Sequence, residues 1–116
     1  MRIKKFNTVF KRNKNFKIFL KNMSKNIEKM NFNYLRKSLI KQEIINYKNK
    51  IRMDIDYLTI SGFEKNRDVL RVLIALDNMI LLLEITGKDD SKKRDEDLEI
   101  LYKLYNEIEC HCVEKD

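Results

Sequence analysis

Lys17, Lys21, Lys25 and Lys29 recur every four residues, the spacing that sets side chains one above another along a helix. A ladder of ammonium groups is suited to one kind of chemistry, the neutralisation of closely spaced anions such as backbone phosphates. The surrounding sequence extends that character. Residues 1–50 hold 15 Lys and Arg against Glu28 and Glu43 alone, a net of +13, whereas residues 51–116 hold 10 against 16 Asp and Glu, a net of −6. The formal charge of +7 thus joins a basic half to an acidic half. A codon bias toward A and T would raise Lys, Asn and Ile, and Lys does outnumber Arg by 18 to 7. The same bias would raise Asp and Glu as well, so it does not account for their near-absence from one half.

The residues expected to contact phosphate are Lys4, Lys5, Lys11, Arg12, Lys14, Lys17, Lys21, Lys25, Arg36, Lys37 and Lys41. Phe16 and Phe19 lie among them and could stack on bases, although their three-residue spacing equally suits a helix face turned to a core. Three other readings fit a basic face. One is an acidic protein surface, including the acidic end of this chain or of another copy. Another is an anionic membrane met by Phe6, Val9 and Phe10 beside Lys4, Lys5, Lys11 and Arg12, over a short stretch of modest amphipathicity. The third reading is simply a solvated face.

Other chemistry finds little support. Cys110-His111-Cys112 is the one soft-ligand cluster, but a structural zinc site takes four ligands, usually as two separated pairs. Adjacent residues on a helix point in different directions, so Cys112 is expected in the core and His111 at the surface. Asp95, Glu96, Asp97, Glu99 and Glu107 lack the Glu-x-x-His pattern of a bundle metal site and are expected to be mostly solvated, the first four near a helix start where the dipole favours them. The chain contains neither a glycine-rich phosphate loop nor a Gly-x-Ser-x-Gly elbow. The expectation is a non-catalytic protein without metal or cofactor.

Helices must position these residues. The chain has 116 residues, no Pro and only Gly62 and Gly87, which suits a few long helices better than a turn-dense β fold. The first expected helix runs from about Phe6 to Met30, with Phe16, Phe19, Leu20, Met23, Ile27 and Met30 on one face. Residues 1–15 are alternatively a flexible basic arm. The second, about Phe32 to Leu58, turns Ile40, Ile44, Tyr47, Ile51, Ile55 and Leu58 inward. It either follows a turn near Asn31–Asn33 or continues the first as one bent helix. Lys48, Lys50 and Arg52 are expected on its remaining surface. Thr59-Ile60-Ser61-Gly62 reads as the clearest break, with Thr59 or Ser61 as a cap.

The third helix, about Glu64 to Thr86, is apolar on two faces. Val69, Val72, Leu73, Leu76, Ile80 and Leu83 form one, and Leu70, Ile74, Leu81 and Ile85 the other, so it is expected to be buried from several sides. Gly87 suits a C-terminal cap. Asp89, Asp90 or Ser91 should cap a fourth helix, about Lys92 to Cys112, which is amphipathic through Leu98, Leu101, Tyr102, Tyr105, Ile108 and Cys112. The fold expected is one all-α domain over residues 1–116, a compact antiparallel three- or four-helix bundle with a buried third helix.

No apolar run matches a secretory signal or a membrane span, and the Lys-rich start only partly fits a mitochondrial presequence. Cytoplasm, or host cytoplasm for a viral gene, is the default. The function expected is binding of nucleic acid or a ribonucleoprotein with little base specificity. The alternative is a small adaptor or inhibitor that binds protein only.

Overall fold

The computed structural model describes residues 2–3, 14–36, 38–61, 66–86 and 91–114. Four helices carry the fold: α1 Lys14–Glu28, α2 Ser38–Ser61, α3 Asn66–Thr86 and α4 Lys92–Cys112. Two residues at each end of the chain, β1 Arg2–Ile3 and β2 Val113–Glu114, form a minimal antiparallel pairing in which Arg2 faces Glu114 and Ile3 faces Val113. The architecture is an all-α helical bundle. Each helix packs on its neighbour in sequence, and α1 closes the ring on α4.

Contacts between helices fix their directions. Ser24 meets Asp56, Glu28 meets Arg52, and the carbonyl of Met30 meets Lys48, so α1 and α2 run antiparallel. Phe16 meets His111 and Phe19 meets Lys103, so α1 and α4 do too. One core runs through the ring. It takes Phe16, Leu20, Met23 and Ile27 from α1, Ile44, Ile51, Ile55 and Leu58 from α2, and Leu101, Leu104, Ile108 and Cys112 from α4. The three-and-four periodicity of the sequence is therefore the packing pattern.

α3 is the most deeply buried helix, through Val69, Val72, Leu73, Ala75, Leu76, Met79, Ile80 and Leu83. Its second apolar row differs from expectation. Ile74, Leu81 and Ile85 are exposed, and Leu70 is half-buried. In a ring of four, each helix has two neighbours and one outer face, and this row occupies the outer face of α3. Tyr102 of α4, expected inside, is likewise exposed, and Leu104 takes the inward position.

Helix boundaries also move. The expected start of the first helix at Phe6 and most of the basic arm lie outside the described residues, and α1 is described from Lys14. The break between the first two helices is real, so they are not one bent helix. No glycine makes it. Phe32 adopts φ 57°, in the left-handed region, and its side chain is fully buried. Such a conformation costs a non-glycine residue roughly 1–2 kcal/mol, and burial of the ring holds it there. The break expected at Thr59-Ile60-Ser61-Gly62 begins later than its first three residues, because α2 continues through Ser61, and residues 62–65 lie outside the described residues. Thr59 is no cap for the next helix, and its hydroxyl donates to the carbonyl of Asp56 at 2.8 Å. Ser91 does cap α4. Its backbone is extended, and its Oγ accepts from the N–H of Arg94 at 3.2 Å.

Candidate polyanion-binding face

α1 divides apolar from polar residues more sharply than the other helices. Once Phe16, Leu20, Met23 and Ile27 are buried, the 3.6-residue period leaves Lys17, Lys21 and Lys25 on the exposed side, with Lys29 following in the turn after α1. Steps of four at 1.5 Å per residue set successive ammonium stems about 6 Å apart along the axis. Each step of four overshoots a full turn by about 40°, so the ladder winds slowly around the helix toward the end where the α1–α2 connection lies.

None of these four lysines forms an ion pair with a carboxylate among the described residues. The acidic residues of α4 therefore do not neutralise the ladder from within the bundle. The acids beside it on α1 and α2 are otherwise engaged. Glu28 pairs with Arg52 at 3.4 Å, and Asp56 accepts from the Ser24 hydroxyl at 3.2 Å.

The remaining candidates divide into three groups. Arg36 is exposed after the turn that leaves α1, and Lys41 lies in the first turns of α2, half-buried, with its Nζ donating to Asn33 Oδ1 at 3.1 Å. Both sit at the connection end of the bundle, close in sequence to Lys29. Lys14 is the first residue of α1. Lys4, Lys5, Lys11, Arg12 and Lys37 lie outside the described residues. Two basic residues expected on the surface serve the fold instead. Lys48 turns inward and donates to the carbonyl of Met30 at 2.6 Å, with burial first and Arg52 second holding its ammonium below its usual pKa. Arg52 is half-buried against Glu28.

The aromatic residues take the core rather than the surface. Phe16 is buried and packs its ring 4.4 Å from that of His111, centroid to centroid. Phe19 is half-buried against the core, with Lys103 6.0 Å from its centroid. His111 is half-buried rather than on the surface, held by Phe16 and by Glu107 Oε2 at 3.2 Å, while Cys112 is buried as expected and Cys110 exposed. Among the described residues, no group of three or more His, Cys, Asp or Glu could hold a metal ion, and no helix is long and apolar enough to cross a membrane.

One polar contact escaped the sequence reading. Asp97, expected among solvated acids, is fully buried and accepts a 2.8 Å hydrogen bond from the phenol of Tyr34. Burial pushes its carboxyl above the usual range, with the Tyr34 bond acting in the opposite direction. The Tyr34 phenol is raised as well, first by burial and then by Asp97. The signal was present in the spacing: Asp97 stands four residues before Leu101, on the row that continues to Leu104, Ile108 and Cys112.

No protein family matches this chain, and neither does any curated protein or solved structure.

Proposed function

We propose that the protein binds nucleic acid through the phosphate backbone, with α1 as its central contact and with little base specificity. The observation that supports this reading is the ladder of Lys17, Lys21 and Lys25 on α1 and Lys29 in the turn after it, exposed and without ion-pair partners among the described residues. Four like charges held in register oppose one another, and a polyanion relieves that repulsion while releasing its own counterions. With Phe16 and Phe19 packed inward, the face has charge but no described aromatic platform for stacking, which favours contact with backbone over bases.

The test is the salt dependence of binding to a generic RNA and a generic duplex DNA. Affinity should fall steeply with salt. Each neutralised phosphate contributes roughly 0.9 to the log–log slope on duplex DNA. Replacing Lys17, Lys21 and Lys25 together by Gln should therefore make that slope shallower by about 2–3. The three side chains are exposed, so the unfolding midpoint should hold or rise slightly. An unchanged slope would remove these residues from the interface. Recovery of a stoichiometric protein partner from cells, indifferent to nuclease and to the substitutions, would favour the adaptor reading.

A further inference from the structure

The outer row of α3 is an apolar feature that the described residues of the bundle leave uncovered. Ile74, Leu81 and Ile85 are 58%, 53% and 63% exposed, and Tyr102 of α4 adds a further 43%. At 100° per residue the three α3 side chains fall within a narrow arc, and the row from Ile74 to Ile85 is about 16 Å long. Between α3 and α4 this row borders an open groove of about 350 Å³, lined by Asp77, Asn78, Ile80, Leu81, Glu84 and Tyr102.

The rim has one sign of charge. Asp77 and Glu84 are exposed beside the apolar row, and Asp77 and Glu109 of α4 each act on Tyr105, raising its phenol after burial. By helical periodicity Asp95 and Glu99 share the flank of α4 that carries Tyr102 and Glu109. Among the described residues of α3, Arg67 at its start is the one cation in line with the row. Arg71 lies on the far flank, toward Asp54 of α2.

We infer that this acid-rimmed groove docks a cationic amphipathic helix of a protein partner. Such a helix lays apolar side chains at i, i+3/4 and i+7 into an apolar groove, and its flanking Lys or Arg would meet Asp77, Glu84 and Glu109. Charge complementarity favours this occupant over a second copy packed α3 on α3 or α1 on α3. Pairing α3 with α3 of another copy would set Asp77 and Glu84 against their counterparts. The basic helix α1 of another copy presents Ile18 as its one exposed large apolar residue among those described, too little to cover three. The groove lies on α3 and α4 while the lysine ladder lies on α1, so the two faces can be occupied together.

The probe is a labelled peptide of about 18 residues with Leu at helix spacing and Lys elsewhere, compared with a Leu/Glu peptide of the same pattern. Fluorescence anisotropy should show micromolar binding of the Leu/Lys peptide and none of the Leu/Glu peptide. Backbone NMR shifts should be confined to α3 and α4. Leu81→Lys should weaken binding by about ten-fold, as for a side chain central to an interface, with an unchanged unfolding midpoint because Leu81 is half-exposed. Asp77→Asn with Glu84→Gln leaves the apolar row intact and should weaken binding by itself. Absence of binding, equal binding of the two peptides, or shifts elsewhere on the bundle would overturn the inference. So would a wild-type dimer in sedimentation that Leu81→Lys makes monomeric, which would identify the occupant as a second copy.

Discussion

Tyr34→Phe removes one oxygen and should be among the costlier conservative changes in this protein. The phenol belongs to the connection between α1 and α2 and donates at 2.8 Å to Asp97, which is 1% exposed in the second turn of α4. Removing the donor strands a carboxylate that water does not reach. The cost of an unsatisfied buried acceptor is about 1–3 kcal/mol, and more when it is charged. A chain of this length unfolds with an entropy near roughly 0.24 kcal/mol/K, so 2 kcal/mol corresponds to a midpoint shift of about 8 °C. Asp97→Leu alone leaves the phenol unpartnered and should also destabilise. The double variant replaces both partners by apolar groups and should lie close to wild type, so the coupling should approach the sum of the two single losses. Urea unfolding of the four proteins measures this cycle. A Tyr34→Phe cost below about 0.5 kcal/mol, or a double variant that simply adds the single losses, would refute the reasoning.

The same pair sets a pH dependence. Burial holds the Asp97 carboxyl above its ordinary value in the folded protein, so folding favours its protonated form. Its contribution to stability is then greatest below the unfolded pKa of about 3.8 and is lost as pH rises through the raised folded value. The stability difference between wild type and Asp97→Leu should therefore move against wild type from about pH 4 toward neutrality. Asp54, also raised mainly by burial, is common to both proteins and cancels in the comparison. A difference flat in pH would show that Asp97 titrates alike in the folded and unfolded chains.

Two further expectations concern single elements. At Phe32, with its φ of 57°, Phe32→Gly should be more stable than Phe32→Ala by about 1 kcal/mol, because glycine alone takes that backbone without strain. Both lose the buried ring, and a urea series in which alanine equals or exceeds glycine would dispose of the strain account. Ser91→Ala should cost about 1 kcal/mol through loss of the bond to the Arg94 N–H, whereas Ser91→Asp should retain it. Equal midpoints for the two would mean that this cap does not set the start of α4.

What the sequence revealed and what it hid follow from the range of each interaction. Helix periodicity is local, so the inward residues of α1, such as Leu20 and Ile27, and of α2, such as Ile51 and Ile55, could be read from spacing alone. The cap at Ser91 was legible for the same reason. The turn at Phe32 was not, because a left-handed phenylalanine is tolerated only where the core receives its ring, and that core is assembled from distant residues. Asp97 was hidden by its company among Asp95, Glu96 and Glu99, since charge marks a surface only until a remote donor such as Tyr34 satisfies it. Lys48 and Arg52 looked like surface charge for the same reason, and their partners at Met30 and Glu28 lie across the α1–α2 contact.

The outer row of α3 misled in the opposite direction. Apolar residues on two faces imply burial on two sides, yet a closed ring of four helices supplies partners for only one of them. Ile74, Leu81 and Ile85 thus keep an apolar character that packing among the described residues does not explain. The lysines of α1 keep a charge that pairing among the described residues does not explain, and both features lie on surfaces that those residues leave open. Residues that the fold does not require are where binding is to be sought, and here they fall on two separate faces of unlike chemistry. Substitutions on either face should leave the unfolding midpoint nearly unchanged while abolishing one interaction and sparing the other.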